Sequence, residues 1–374
     1  AGKQKGSRWQ CSDCGCEYNP LTVHYSKRNK CPNCGSQNLD KTRSSLLVEW
    51  LRIIRENKPT WGIYENVKNI VSKRFKPTFD LFISELDEYG YNCYWQVLNA
   101  KNFGVPQDRK RIYITGTYTE TPNLENFETN KSSLSNILEN GLPVSNSKFV
   151  NLVLSNYSVE QLYGMSIKDK RGGENNIHSW DIDYKGRTTK QEKEFLNVLL
   201  KERRKKKWAA EYGIDWMDGM PLTIDMIRSF YDAENLEEML EDLVSKKYLK
   251  KEHPKKKVGN KRVQDETLPL GYNIVAGKMS YEVAKVLDPK GIAPTLVAMD
   301  MEHLFVGDGN GIRKLSLREG LRLFGYPDDF KFDVGLQDGY DLLGNTVVVP
   351  VIKQVALRVL KACATEMKNE SECA

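Results

Sequence analysis

The 374 residues, 40% hydrophobic and 28% charged, suffice to bury full cores in two or three globular domains. No apolar run approaches the roughly 18 residues that a membrane span needs. The first residues also show no charged-then-apolar leader, so the cytoplasm is the expected compartment. The formal net charge of +6 is concentrated: six of the seven residues from Lys201 to Lys207, and nine of the seventeen from Lys246 to Arg262, are Lys or Arg. Such runs fit a polyanionic partner or a solvated helix face.

Taken in chain order, the first pattern is one of metal ligands. Cys11-Ser-Asp-Cys14 and Cys31-Pro-Asn-Cys34 are two C-x2-C pairs with 16 residues between them, each followed by a glycine, Gly15 or Gly35, able to take a positive φ in a tight turn. Four thiolates in this spacing predict a tetrahedral Zn²⁺ in a zinc ribbon, whose small hairpin needs the ion in place of a core. Paired disulfides or a redox C-x-x-C are the alternatives. Cys16 and His24 are surplus to a filled site, and Cys93, Cys363 and Cys373 have no partner spacing.

The texture then becomes α/β. Ser44 to Asn57 reads as a helix with Leu46, Leu47, Trp50, Leu51 and Ile54 on one face, ended by Pro59, and residues 61–67 (WGIYENV) read as a short buried strand. A second helix is expected from about Phe79 to Tyr89, with Thr78 as N-cap and Gly90 at its stop. Strands follow at about Asn92 to Leu98 and Arg111 to Thr115. Helices alternating with strands imply a doubly wound sheet with ligands at the strands' carboxyl ends, where Glu65 and Asn66 stand.

Beyond 117 the pattern suggests a compact insert. Asp232 is placed to cap a helix reaching Tyr248, with Leu236, Met239, Leu240, Leu243, Val244 and Tyr248 on one face. With the preceding PLTIDMIRSFYD and the Lys-rich stretch to Arg262, this predicts a helix-turn-helix or winged module with a basic wing for phosphate contacts. Asn175, Asn176, His178 and Arg187 are among many candidate base readers. VGDGNGI (306–312) reads as a hairpin turn, and Pro350 to Leu360 as an amphipathic helix.

Four segments together carry a resemblance: YENVKNI (64–70), GVPQDRKRIYITG (104–116), RKLSLREGLRLFGYPDDF (313–330) and YDLLGNTVVVPVI (340–352). In this order they resemble four hallmark motifs of the DNA (cytosine-5) methyltransferases, with that family's long variable stretch between the second and third. RSSLLVEWLRIIRENKP (43–59) is similar to the family's helix before the E-N-V strand.

The resemblance implies a fold of class α/β, a Rossmann-like S-adenosylmethionine-dependent methyltransferase domain present in part, with a variable target-recognition domain and a zinc ribbon. The expected division is a catalytic-loop remnant and ribbon over 1–42, the C-terminal half of the catalytic sheet over 43–116, target recognition over 117–300, and a return to the catalytic domain over 301–374. It further implies that Glu65 shares a proton with the cytosine ring at N3, and that Arg109 and Arg111 hold the cytosine O2 and the nucleophile loop. Asn345, Thr346 and Val347 would line the S-adenosylmethionine site, Thr295 and Leu296 would lie at the DNA, and Cys11, Cys14, Cys31 and Cys34 would bind zinc. Arg318, Glu319 and Arg322 are expected to be scaffold.

Ala1 to Gly6 resembles the flexible loop that follows the family's Pro-Cys nucleophile motif, and no Pro-Cys dipeptide occurs in these residues. The implied partners are duplex DNA, whose target base leaves the helix, and an N-terminal fragment or subunit carrying the nucleophile, without which this chain is expected to be inactive. The host expected is a bacterium or phage-infected cell, the role restriction-modification. A non-catalytic DNA-binding protein derived from such an enzyme, or an RNA methyltransferase on the same fold, are the rival readings.

Overall fold

The computed structural model describes residues 8–41, 45–118, 122–170, 173–214, 219–258, 261–276 and 281–372. The Ala1–Gly6 loop match and Ser44 lie outside them. The chain forms two compact units, the first from Ala1–Ser132, Leu321–Phe330 and Thr346–Ala374, the second from Ser133–Gly320 and Lys331–Asn345.

The first unit opens with a small antiparallel sheet: β1 (Trp9–Cys11) lies between β2 (Glu17–Tyr18) and β3 (Leu39–Lys41). Helix α1 (Ser45–Asn57) follows, burying Leu47, Leu51 and Ile54 as one stripe at helical spacing. Leu46, expected on that stripe, is 76% exposed, since one residue along a helix is a rotation of about 100°. Strand β4 (Trp61–Val67) occupies the expected residues. Helix α2 (Lys76–Glu88) begins before the predicted cap, with Pro77 in its first turn, where a missing N–H costs nothing. Thr78 is therefore inside the helix, and its hydroxyl accepts a hydrogen bond from Asn19 at 3.1 Å.

Strands β5 (Asn92–Asn99) and β6 (Lys110–Thr117) complete a sheet in the order β4-β6-β5. Both flanking strands pair antiparallel with β6, so these three strands by themselves are a mixed segment of the expected α/β sheet. The α2 crossover leaves β4 and β5 parallel to each other, but the ten residues 100–109 let the chain reverse and fill the gap with β6. Among the described residues β4 is an edge strand. Its helix-facing side packs a core of Leu47, Leu51, Phe79, Phe82, Leu86, Ile112 and Ile114.

The second unit contains α3 (Lys148–Asn156), α4 (Val159–Leu162), β7 (Ser166–Ile167) and β8 (Asn176–Ile177). Helices α5 (Lys190–Glu202), α6 (Lys206–Glu211), α7 (Ile224–Arg228) and α8 (Leu236–Ser245) come next. Strands β9 (Leu249–Glu252), β10 (Lys255–Val258), β11 (Lys261–Gln264) and β12 (Gly271–Ile274) follow. β9 pairs antiparallel with β12, β10 with β11 as a hairpin between them, and Leu222 bridges to Tyr272 on the far side of β12. This is winged-helix topology around one core that includes Trp180, Phe195, Leu199, Leu240, Tyr248 and Ile274. Asp232 does not cap α8, which starts at Leu236 after Asn235, and Tyr248 lies past its end with its ring buried.

The unit continues through β13 (Lys285–Val286), α9 (Ala298–Met301), β14 (Leu304–Asp308) and β15 (Gly311–Lys314). β14 and β15 form the hairpin expected at VGDGNGI and join a second sheet in the order β15-β14-β13-β7-β8. Helix α10 (Leu317–Leu323) carries Glu319, fully buried, which takes both terminal nitrogens of Arg313 at 2.8 and 2.9 Å; this is the scaffold role expected of it. Helices α11 (Leu336–Gly344) and α12 (Val349–Glu372) close the chain. Among the described residues no helix is long and apolar enough to cross a membrane.

A buried ion pair ties the cysteine-rich segment to helix α2. Arg28, between the two cysteine pairs, donates to both carboxylate oxygens of Glu85 on α2 at 3.0 and 2.6 Å, with the two side chains 6% and 7% exposed. Arg28→Ala strands that carboxylate and is expected to cost about 3–5 kcal/mol in urea unfolding, while Arg28→Met with Glu85→Leu recovers most of the loss. A cost below about 1 kcal/mol for the single change would show that the pair does not anchor the segment.

Candidate functional site

The β4–β6 register decides which side chains meet. Glu65 is paired with Tyr113 and Val67 with Arg111, so Glu65 and Arg111 are diagonal neighbours on one face of the sheet. Arg111 Nε stands 3.2 Å from Glu65 Oε1, with the two side chains 13% and 24% exposed. The adjacent residues point the other way: the ring of Tyr64 packs on Trp50 and Phe82, and Asn66 Nδ2 donates to the Tyr64 hydroxyl at 2.8 Å. Asn66 is thus a helix-side structural residue, and Glu65 lies on the opposite face with Arg111.

Burial pushes the Glu65 carboxyl above its ordinary value, against the opposing pull of Arg111 and then Arg109. Arg109, one residue before β6, is 5% exposed. Its Nη2 donates to the Thr346 carbonyl at 3.0 Å and its guanidinium lies 5.2 Å from the Phe324 ring centre. Burial first, and the neighbouring charge of Arg111 second, lower its pKa to about 10. One carboxyl with a raised pKa beside two guanidiniums is suited to sharing a proton with a ring nitrogen while holding an electron-rich oxygen.

Two residues outside the predicted set complete this cluster. Gln107 is fully buried and donates to the Leu323 carbonyl at 2.8 Å, and Tyr326 shares a 2.8 Å hydrogen bond with Thr346 Oγ1. Both stand inside the quoted motifs, at PQDRKR and LFGYP, where the charged residues drew attention first.

Thr346 is therefore held through both its carbonyl and its hydroxyl, and Val347 follows it half-buried. Asn345, at the end of α11, is exposed and donates to the Asp341 carbonyl at 2.8 Å. Thr295 is half-buried and Leu296 fully buried before α9, so Leu296 belongs to packing rather than to a surface. His178 is buried and stacked on Trp180, with Nδ1 2.7 Å from the Lys168 carbonyl, which makes it a core residue rather than a base reader.

The four cysteines converge. The Sγ atoms of Cys11, Cys14, Cys31 and Cys34 all lie within 4.8 Å of one another. Cys11 and Cys34 are 3.5 Å apart and Cys14 and Cys31 3.6 Å, far beyond a disulfide bond and near the edge of about 3.8 Å that a tetrahedron of roughly 2.3 Å Zn–S bonds requires. The two halves repeat one turn: Gly15 and Gly35 take φ of +71° and +75°, and their N–H groups donate to Cys11 and Cys31 at 2.9 Å. The Cys14 thiol is lowered to about 6, first through the hydrogen bond from Asn33. His24 is occupied as a local cap, with Nδ1 2.7 Å from Ser26 Oγ, as expected of a residue surplus to the set.

Residues 33–361 match the family of C-5 cytosine-specific DNA methylases. The chain is 54% identical over 329 residues to the Type II methyltransferase M.NlaIV of Neisseria lactamica, a match covering 86% of this chain and 78% of that protein. It is 35% identical to the Type II methyltransferase M.BanI of Aneurinibacillus aneurinilyticus, over 85% of this chain and 75% of that protein. Among solved structures there is a remote likeness to a DNMT2 variant from Spodoptera frugiperda, at 13% identity and a TM-score of 0.39, covering 92% of this chain and 84% of that one. The extent of the first match, together with the two Type II relatives, shows that the chain belongs to the C-5 cytosine-specific DNA methylase family, an α/β methyltransferase family, and that membership implies S-adenosylmethionine as methyl donor and DNA as substrate.

Proposed function

We propose that this chain carries the base pocket and the target-recognition region, residues 117–300, of a restriction-modification enzyme that methylates C5 of cytosine in a specific duplex sequence. The observation that carries the reading is the Glu65–Arg111 pair, 3.2 Å apart on the face of β4 and β6 turned away from the helices, with the Glu65 carboxyl raised by burial. The Type II relatives support the restriction-modification role, with a bacterial or phage-infected cytoplasm as its setting.

C5 of cytosine is a poor nucleophile until a thiolate adds at C6, which drives electrons into the ring toward N3. Glu65, holding its proton above the ordinary carboxylate range, donates or shares it at N3. Arg111 orients that carboxyl, and Arg109 and Arg111 hold the cytosine O2 and the nucleophile loop by charge-assisted hydrogen bonds. When bound, S-adenosylmethionine supplies an electrophilic methyl group; Asn345, Thr346 and Val347 are assigned to its site and Thr295 to the DNA side, with Leu296 packed behind it. No Pro-Cys dipeptide, the motif that carries the thiolate in the family resembled, occurs in the 374 residues. Cys11, Cys14, Cys31 and Cys34 are assigned a structural Zn²⁺, which would brace a segment too small for a core of its own.

Elemental analysis of reduced protein should find about one zinc per chain, lost on Cys14→Ser with Cys34→Ser; metal-free protein that remains folded removes zinc from the proposal. The Glu65 protonation has its own signature. Its folded carboxyl keeps the proton to a higher pH than the ordinary 4.5, so the stability it contributes is fully present below that value and is lost as pH rises through the folded pKa. Urea midpoints should fall with pH above 4.5 in the unaltered protein relative to Glu65→Gln, and parallel curves would show that the carboxyl is not raised.

The activity test is tritium transfer from labelled S-adenosylmethionine to a cytosine-containing duplex, with the segment bearing the Pro-Cys loop present. Glu65→Gln should lower the rate by about 10²–10⁴-fold with little loss of DNA binding. Full activity in that variant rejects the assignment of Glu65, and no transfer in any form of the protein favours a non-catalytic DNA-binding subunit.

A further inference from the structure

In winged-helix topology the second helix of the helix-turn-helix is the usual groove reader, and here that position is held by α8. Its solvent face is acidic: Glu237, Glu238, Glu241 and Asp242 are exposed, with Glu234 just before the helix. Arg228 pairs with Glu237 at 2.8 Å and Lys251 with Glu241 at 2.6 Å, while Glu234 and Glu238 lie outside those pairs. Glutamates in the first turn of a helix offset the positive N-terminal dipole that elsewhere draws a phosphate. Sinking this face into a groove would set carboxylates against a line of phosphates.

The basic residues of the same module divide between the two sides of its sheet. In the β9–β12 register Lys251 opposes Tyr272, and Lys250 opposes Asn273, so these two pairs project to opposite faces. Tyr272 reaches α8, donating to Glu241 at 2.6 Å. Asn273 instead accepts from Arg203 at 2.7 Å and donates to Glu252 at 2.7 Å, all three buried, and Glu252 is paired with Lys250 at 2.8 Å and Lys255 at 3.2 Å. This chain of contacts joins the end of α5, where exposed Arg204, Lys206 and Lys207 begin, to Lys255 at the root of the β10–β11 wing, whose next residue, Lys256, is exposed and paired with Asp265 at 3.0 Å. Arg204, Lys206, Lys207 and the wing are thereby tied into one module on the side of the Arg203–Asn273–Glu252 contacts, while Lys246 and Lys251 of the second basic stretch pair with Asp242 and Glu241 of α8.

We infer that this winged helix engages duplex DNA through the phosphates facing Arg204, Lys206, Lys207 and the wing, with the acidic helix α8 turned away from the groove. The occupant is duplex DNA on charge complementarity, and the inference rests on the proposal that DNA is this chain's substrate. The four cations contact backbone and set register, while base reading falls to other segments of residues 117–300.

The test is binding of the full chain to a fluorescent duplex of about 30 base pairs, followed over a range of salt, where each phosphate contact contributes about 0.9 to the slope of log affinity against log salt. Arg204→Gln, Lys206→Gln, Lys207→Gln and Lys256→Gln together should reduce the slope by about 2–4 and weaken binding at least tenfold at moderate salt, and the same four positions as Lys or Arg exchanges should keep it. All four side chains are exposed, so the fold is expected to survive. Glu234→Lys with Glu238→Lys should change affinity less than about threefold. An unchanged slope in the Gln variant, or tightening beyond about tenfold with a steeper slope on reversing the α8 charges, overturns the inference while leaving DNA as the substrate. Failure of the unaltered chain to bind any duplex overturns both.

Discussion

The β4–β6 pairing is the constraint on which the candidate base pocket depends. Side chains alternate across a sheet with a period of two, so the register that opposes Glu65 to Tyr113 and Val67 to Arg111 also sends Tyr64, Ile112 and Ile114 into the core. A slip of one residue would bury Glu65 and Arg111 among Phe82 and Leu51 and expose the aromatic side. Hydrophobic burial on one face therefore holds the chemistry on the other. The carboxyl's raised pKa follows from the same placement, since it is partly desolvated by the strands yet still within 3.2 Å of a guanidinium.

The cysteine-rich segment is bound to this sheet through polar contacts rather than through a shared apolar core of any size. Arg28 and Asn19 reach Glu85 and Thr78 on α2, and Leu21 alone among its described apolar residues joins the α1–α2 core cluster. Buried ion pairs are weak sources of net stability but strongly specify one arrangement, because every alternative leaves a charge unpaired. Within the segment, two repeated turns bring its four cysteine sulfurs together.

In the second unit the two-stranded β9–β12 sheet of the winged module sends its side chains to two separate sets of partners. The pleat that puts Tyr272 and Asn273 on opposite faces also puts Glu241 and Arg203 there. A helix is read as a recognition helix by its place in the topology, yet its surface chemistry decides what it can approach. Here the topology and the charge disagree, and the charge carries more physical weight at the distance of a phosphate.

The local elements were largely legible in the residues themselves. Apolar spacing announced α1, α2 and α12, the residues of WGIYENV coincide with β4, and the paired C-x2-C spacing announced a four-sulfur cluster, because each depends on neighbours a few positions away. Order along the chain likewise carried the resemblance that the family match bears out. What the sequence left open was decided by contacts between distant segments: the antiparallel insertion of β6 between β4 and β5, the turning of Asn66 toward the helices, the burial of Leu296 and His178, and the start of α8 beyond Asp232. Each of these depends on which face another element covers, and periodicity within one segment holds no information about its partner. The same reason applies to the winged module, since Arg203 and Glu252 lie 49 residues apart in the chain and meet only through Asn273.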